Sequence, residues 1–251
     1  MAAFQSLLLS LLLFCLIYEA VSQSVLRFPS YRNDDDLFCG SWRLSVETNN
    51  AGNWMSVPSR CWSYVEEYMN GGKYFSDSEI AASDSLAFAQ SIEIGDNGKD
   101  AWIFDIDETL VSNLPYYQLH GYGSENFDEF SFNKWVELGQ APALPASLKL
   151  YKKVKQMGFK VFLLTGRSEY QRSATVKNLV SAGYSDWERL ILRGISDEGE
   201  SATVFKSKKR SELVEEGYRI HGNSGDQWSD LLGFAVAERS FKLPNPIYFI
   251  P

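Results

Sequence analysis

Histidine is scarce in this chain: its 251 residues include two, His120 and His221. So few imidazoles exclude the hydrolytic centres that bind two metal ions through several histidines. Positive charge is also in short supply, because 24 Lys and Arg residues against 32 Asp and Glu residues leave a formal net charge of −8. No basic stripe reverses this balance, so the chain would repel a nucleic-acid backbone and no nucleic-acid partner is expected.

Long apolar runs are missing except near the amino terminus, where residues 7–17 are apolar apart from Ser10. This run is shorter than the roughly 20 residues that a membrane-spanning helix needs. The small residues Ala20 and Ser22 suit a signal peptidase, so we predict a signal peptide over residues 1–22; a buried N-terminal helix is the alternative. The mature chain is expected to use the secretory pathway, to lie in the vacuole or outside the cell, and to have no membrane association.

Cysteine is rare as well, and Cys15, one of the three, lies in the predicted signal peptide. Neither Cys39 nor Cys61 begins a Cys-x₅-Arg motif, which excludes the class of phosphatases that uses it. An even pair of cysteines in an oxidising compartment predicts a disulfide between Cys39 and Cys61. Two free buried thiols are the alternative.

The chain has enough apolar residues, 45% against 22% charged, to bury a core. After residue 100, short apolar segments alternate with segments of helical periodicity, which predicts an α/β fold with a central parallel sheet flanked by helices. The predicted strands are Ala101–Phe104, Phe159–Leu164, Leu190–Leu192 and Tyr218–His221. The predicted helices cover residues 77–91, 148–157, 170–182 and 207–216, and the last three end at Gly158, Gly183 and Gly217.

This pattern divides the mature chain into an N-terminal helical extension, residues 23–98, and a core, residues 99–251. Residues 112–145 are too many for a simple βα loop, so they are expected to form a small cap with a helix near 132–138. The aromatic residues of this cap are expected to pack together, although stacking on an aromatic ligand is the alternative. They are Tyr116, Tyr117, Tyr122, Phe127 and Trp135.

Two carboxylates, Asp105 and Asp107, follow the first predicted strand directly. One can stay ionised as a nucleophile, while its like-charged neighbour raises the pKa of the other, which then serves as a general acid. Carboxylates also suit Mg²⁺. Such a pair is common by itself, but further polar residues lie near the ends of later strands or at the start of a predicted helix. They are Thr165, Lys206, Asp226 and Asp230.

The ordered motifs Asp-x-Asp-x-Thr, Thr-Gly-Arg, Lys and Gly-Asp-x-x-x-Asp resemble those of the haloacid dehalogenase (HAD) superfamily. The finer resemblance is to its plant acid phosphatase and vegetative storage protein family. It is carried by residues 104–110, 115–117, 121–123, 225–228 and 242–246, with 39–42 and 57–61 in the extension. The resemblance implies a Rossmann-like HAD fold and an acid phosphatase that hydrolyses small phosphate monoesters with Mg²⁺.

The resemblance also implies a role for each motif residue. Asp105 would attack phosphorus and form an aspartyl-phosphate. Asp107 would protonate the leaving alcohol and then deprotonate the hydrolytic water. Thr165 and Gly166 would bind the phosphoryl group, and Lys206 would neutralise both that group and the nucleophile, whose mutual approach is otherwise repulsive.

A magnesium site is implied by the same motifs. Asp105 and Asp226 would bind Mg²⁺ together with the backbone carbonyl of Asp107. Asp230 would support the metal or Lys206.

Several alternatives stay open from sequence. Lys208 is the alternative to Lys206 as the site lysine, and Arg167 either contacts phosphate or the cap or has a structural role. The second candidate function is a vegetative storage protein with low or incidental phosphatase activity. Some storage members of the family depart from the nucleophilic aspartate, whereas Asp105 is present here. The family also implies a homodimer or heterodimer.

Overall fold

The computed structural model describes residues 35–251, so the predicted signal peptide, residues 1–22, lies outside the described residues. Between residues 35 and 251, none of the helices combines the length and the apolar character needed to span a membrane. The first described element is helix α1, Asp35–Glu47, in the N-terminal extension.

The strands of the described region form one five-stranded sheet. They are β1 (Asp100–Phe104), β2 (Lys160–Ser168), β3 (Arg189–Arg193), β4 (Arg219–Gly225) and β5 (Arg239–Lys242). All pairs are parallel and the order is β3–β2–β1–β4–β5. The predicted α/β fold and its four predicted strands are confirmed. The edge strand β5 was missed because Phe241 is its one buried residue, so no apolar run marks it.

Helices cover this sheet and build the extension and the cap. After α1 they are α2 (Trp62–Asn70), α3 (Gly72–Gln90), α4 (Leu114–Leu119), α5 (Glu129–Leu138), α6 (Pro145–Gln156), α7 (Arg172–Ser181), α8 (Ala202–Glu215) and α9 (Trp228–Leu231). The predicted helix 77–91 actually begins at Gly72, because the buried ring of Tyr74 packs edge-on against Tyr68, with centroids 6.0 Å apart. Ser76 and Glu79, whose Ser-x-x-Glu spacing is typical of a helix start, therefore lie inside α3.

The helix that carries Lys206 also begins earlier than predicted. The hydroxyl of Ser201 accepts a hydrogen bond from the backbone N–H of Val204 at 3.3 Å and caps α8. Lys206 therefore lies in the second turn of α8 and does not open it. Its side chain is buried there, near the carboxyl ends of the strands.

The extension is fixed by the predicted disulfide, which is confirmed: Cys39 of α1 is bonded to Cys61. Both cysteines are fully buried in an apolar cluster with Val65 and Tyr68 of α2. The same cluster includes aromatic residues of the cap and Ile247 from the C-terminal segment. The extension therefore contacts the two segments that border the sheet edge.

The cap region, residues 112–145, holds α4, a 3₁₀ turn at Gly121–Gly123, and α5. The carboxylate of Asp128 caps α5 by accepting from the N–H groups of Phe130 and Ser131, at 3.1 and 3.3 Å. The helix expected near 132–138 thus begins earlier, at Glu129, because the Asp128 side chain satisfies the first backbone N–H groups of the helix there.

Candidate active site

The carboxyl ends of β1, β2 and β4 meet at one edge of the sheet, because these neighbouring strands are parallel. Asp105 follows β1 directly, and its backbone N–H donates to the carbonyl of Ser224 on β4 at 3.0 Å. Asp226 follows β4, and Thr165 lies near the end of β2. Three predicted site residues from distant stretches of chain are therefore buried at the same edge.

Lys206 joins two of the acidic residues. Its Nζ lies 2.6 Å from Oδ1 of Asp105 and also contacts Oδ1 of Asp230. Burial would lower the pKa of Lys206, but these two carboxylates raise it above its ordinary value. Lys208, the alternative from sequence, is half exposed and pairs with Glu200. Lys206 is therefore the lysine that the fold brings to the acidic cluster.

Three buried carboxylates, Asp105, Asp226 and Asp230, have oxygens within 4.8 Å of one another. Burial raises the pKa of Asp105 well above its ordinary value; Lys206 opposes this rise and the negative charge of Asp230 adds to it. Burial also raises the pKa of Asp226 to about 7. One ammonium group does not balance three carboxylates. An oxygen donor set with this excess of negative charge fits a hard divalent cation such as Mg²⁺.

Asp230 is held from several sides. The backbone N–H of Gln227 donates to its Oδ2 at 2.9 Å, and the guanidinium of Arg210 donates to its carbonyl at 2.7 Å. A Cβ atom on Gly225 would lie 2.4 Å from the same Oδ2. The absence of a side chain at Gly225 thus allows Asp230 to approach the strand end and reach Lys206.

Asp107 is bound by Arg167, whose role the sequence left open. Nη2 of Arg167 lies 2.7 Å from Oδ1, Nε lies 2.9 Å from Oδ2, and Nδ2 of Asn113 donates to Oδ1 at 2.8 Å. Burial would raise the pKa of Asp107, but Arg167 and then Asn113 hold it below its ordinary value. The sequence left open which carboxylate of the pair has the raised pKa; it is Asp105, while the pKa of Asp107 is lowered.

The turn after β2 supplies the remaining predicted residues. The hydroxyl of Thr165 is buried and accepts from the backbone N–H of Arg167 at 3.1 Å. Gly166 is exposed, and a Cβ atom placed on it would touch nothing within 4 Å. Gly166 lines a cavity over the acidic cluster, so its backbone is accessible to a ligand.

A cavity of about 400 Å³ lies over this cluster. Asp105, Asp107 and Lys206 line it together with cap and C-terminal residues. Tyr116, Tyr117 and Tyr122 are buried in the cluster shared with the extension, as the cap-core interpretation expects. Tyr116 and Tyr117 also line the cavity, as does the largely exposed ring of Phe127. The cap therefore has both an internal core and an aromatic wall.

Glu108 is a site residue that sequence reasoning missed. It is fully buried, and its carboxylate accepts from the N–H of Asn113 at 2.5 Å and from the hydroxyl of Tyr248 at 2.7 Å. Burial raises the pKa of Glu108 to about 7. The acidic residue beside Asp107 was a visible signal, but its partner Tyr248 is 140 residues away and could not be paired with it from one sequence.

Comparison with known proteins identifies relatives over most of the chain. Acid phosphatase 1 of Solanum lycopersicum is 55% identical over 226 residues, covering 90% of this chain and 89% of the relative. The stem 28 kDa glycoprotein of Glycine max is 44% identical, covering 84% of this chain and 84% of the relative. Vegetative storage protein 1 of Arabidopsis thaliana is 39% identical, covering 85% of this chain and 79% of the relative.

Among solved structures, the class C acid phosphatase from Bacillus anthracis with tungstate bound superposes with a TM-score of 0.60 at 22% identity, covering 75% of this chain and 85% of that one. At this identity the likeness shows a shared fold. The model of the family described as HAD superfamily, subfamily IIIB (Acid phosphatase) matches residues 27–251. The enzyme class expected from the motifs, a phosphoric monoester hydrolase, is confirmed: the chain belongs to the subfamily IIIB acid phosphatases of the HAD superfamily.

Proposed function

We propose that this acid phosphatase hydrolyses phosphate monoesters through an aspartyl-phosphate formed on Asp105. The observation that carries the proposal is the contact of Lys206 with both Asp105 and Asp230 at the floor of the cavity. A carboxylate that attacks a phosphate ester is an anion approaching an anion. A buried ammonium group 2.6 Å from the nucleophile reduces that repulsion where the new bond forms.

In the first step, a carboxylate oxygen of Asp105 forms a bond to phosphorus as the bond from phosphorus to the alcohol oxygen breaks. The Asp107 carboxyl gives its proton to the departing oxygen. In the second step, Asp107 takes a proton from water, whose oxygen attacks phosphorus and releases Asp105 and inorganic phosphate. The Thr165 hydroxyl and the backbone of Gly166 would hold the phosphoryl oxygens meanwhile.

Asp105, Asp226 and Asp230, together with the backbone carbonyl of Asp107, would hold Mg²⁺. When bound, the ion supplies positive charge that stabilises the phosphoryl oxygens as charge shifts during transfer. Exhaustive chelation should abolish activity, and added Mg²⁺ should restore it. Full activity after chelation would count against the metal requirement.

The nucleophile assignment is tested with Asp105→Asn and a panel of phosphate monoesters, with and without Mg²⁺. Loss of the carboxylate should remove nearly all phosphate release, because the amide is a far weaker nucleophile. Asp186→Asn is the matched control, since Asp186 is exposed and pairs with Lys155. Retention of more than a few per cent of activity in Asp105→Asn, with normal activity in the control, would refute the assignment.

An amino-acid reserve is a second candidate function, favoured by the similarity to vegetative storage protein 1. The relatives named as storage proteins and stem glycoproteins also support a secretory or vacuolar route for this chain. Quantifying the protein in tissue during growth and depletion, beside its turnover number, separates the two functions. Cell fractionation of the same tissue tests the location of the protein. Light scattering of the purified protein tests the expected homodimer or heterodimer.

A further inference from the structure

The C-terminal motif, residues 242–246, has no part in the chemistry proposed above, yet it lies against the site. Asn245 is 1% exposed, and its side-chain amide donates to Oδ2 of Asp226 at 2.7 Å. We infer that Asn245 is a positioning residue that fixes the Asp226 carboxylate in the orientation in which it binds the divalent cation. This inference rests on the proposed function and adds a residue to its site.

The two oxygens of Asp226 have different partners. Oδ2 accepts from Asn245 and from Nε2 of Gln227, both at 2.7 Å. Two donors occupy the lone pairs of one carboxylate oxygen. Oδ1 accepts from the hydroxyl of Thr109, at the longer distance of 3.3 Å. The two amides therefore hold the carboxylate so that Oδ1 is the oxygen able to take a cation.

The orientation of the Asn245 amide is itself determined. Its Oδ1 accepts from the backbone N–H of Ile247 at 2.9 Å, so its nitrogen must face Asp226. Pro244 and Pro246 flank Asn245, and their fixed φ angles limit the conformations of this loop. The donor is thus held in place before any cation arrives.

The N-terminal extension holds the same loop. The backbone N–H of Asn245 donates to Oε1 of Glu47 at 3.0 Å, and Nζ of Lys242 lies 2.8 Å from Oε2. Glu47 is the last residue of α1, which the Cys39–Cys61 disulfide ties to the rest of the extension. The extension therefore takes part in the site by supporting the residue that orients Asp226.

The test is calorimetric titration of the full mature chain with Mg²⁺ alone, without substrate. Asn245→Ala should weaken the Mg²⁺ affinity about 10- to 100-fold, the effect typical of residues that orient metal ligands. The KM for an aryl phosphate at saturating Mg²⁺ should stay within about threefold of wild type. Asn245→Leu has nearly the same size but no donor for Asp226, so it should lose Mg²⁺ affinity as well.

Asn178→Ala is the matched control. Asn178 is also a buried asparagine, and its side chain bridges the backbone N–H and carbonyl of Ala141 away from the acidic cluster. It should lose stability but keep the Mg²⁺ affinity. Wild-type affinity in folded Asn245→Leu would overturn the inference even if Asn245→Ala failed to fold. Absence of Mg²⁺ binding and of phosphatase activity in the wild type would instead refute the proposed function itself.

Discussion

The guanidinium of Arg167 makes a two-point contact with the carboxylate of Asp107, with nitrogen–oxygen distances of 2.7 and 2.9 Å. Arg167 thereby lowers the pKa of the group proposed to act as general acid. A proton donor with a low pKa is protonated, and therefore competent, only at acidic pH. The contact thus lowers the pH range in which Asp107 can donate its proton.

Replacement of Arg167 tests this relationship. Burial and the neighbouring carboxylates favour the protonated form of Asp107, and Arg167 opposes them. In Arg167→Ala this opposition is lost, so the pKa of Asp107 should rise. The descending alkaline limb of the kcat/KM profile reports the acid of the free enzyme, and it should move to higher pH. Arg172→Ala, which removes an exposed arginine paired with Glu169, should leave the limb in place. An unmoved limb in Arg167→Ala would show that Asp107 is not the titrating acid.

The role proposed for Asp107 predicts that the effect of its replacement depends on the leaving group. Asp107→Asn should slow hydrolysis of an alkyl phosphate by about 10²- to 10⁴-fold, because the alkoxide cannot leave without a proton. A nitrophenyl phosphate should lose much less, since nitrophenolate leaves unprotonated. The ratio is taken from kcat/KM, which covers the steps up to departure of the leaving group and not the later attack of water. Equal losses in kcat/KM would contradict the assignment of Asp107 as the acid.

Even the small side chain of alanine at position 225 is expected to reduce both stability and activity. A Cβ atom there would lie 2.4 Å from Oδ2 of Asp230, so Gly225→Ala must displace the carboxylate that contacts Lys206. We expect a loss of about 1–3 kcal/mol in unfolding free energy together with a strong fall in kcat. Gly72→Ala is the control, because a Cβ atom at Gly72 meets nothing within 4 Å. Normal kcat in Gly225→Ala would show that the position of Asp230 is not critical.

The disulfide is predicted to support both folding and metal affinity. Cys39 and Cys61 are 22 residues apart in sequence, and opening a loop of this length should cost about 3 kcal/mol of unfolding free energy. Denaturant unfolding of a Cys39→Ser, Cys61→Ser double variant measures this loss. Because α1 carries Glu47, Mg²⁺ titration of the same variant should show weaker binding as well. A variant with unchanged unfolding free energy would contradict the first expectation.

The site was largely predictable because its residues follow the strands that bear them. Asp105 and Asp226 come directly after β1 and β4, so the parallel topology alone brings them to one edge. Lys206 could be chosen over Lys208 only from the resemblance, because both lie in the same helix and burial separates them only in three dimensions. The start of α8 was misplaced since the Ser201 cap lies five residues before Lys206.

Contacts between distant segments could not be predicted. Arg167 lies 60 residues from Asp107, and Asn245 is 198 residues from Glu47. No periodicity or local motif encodes such pairs, which form only when the sheet edge, the extension and the C-terminal segment are packed together. The edge strand β5 was missed for a related reason, since its pairing with β4 is set by the fold and not by an apolar run of its own.

The crowding of Asp105, Asp226 and Asp230 around a single ammonium group bears on how such a protein could change its role during evolution. A neutral residue at position 105 removes one of several buried like charges, so metal-free Asp105→Asn should unfold at a higher temperature than the wild type. Losing the proposed nucleophile would then make the chain more resistant to unfolding. A lineage selected for long-lived nitrogen stores could abandon catalysis and gain persistence in one substitution.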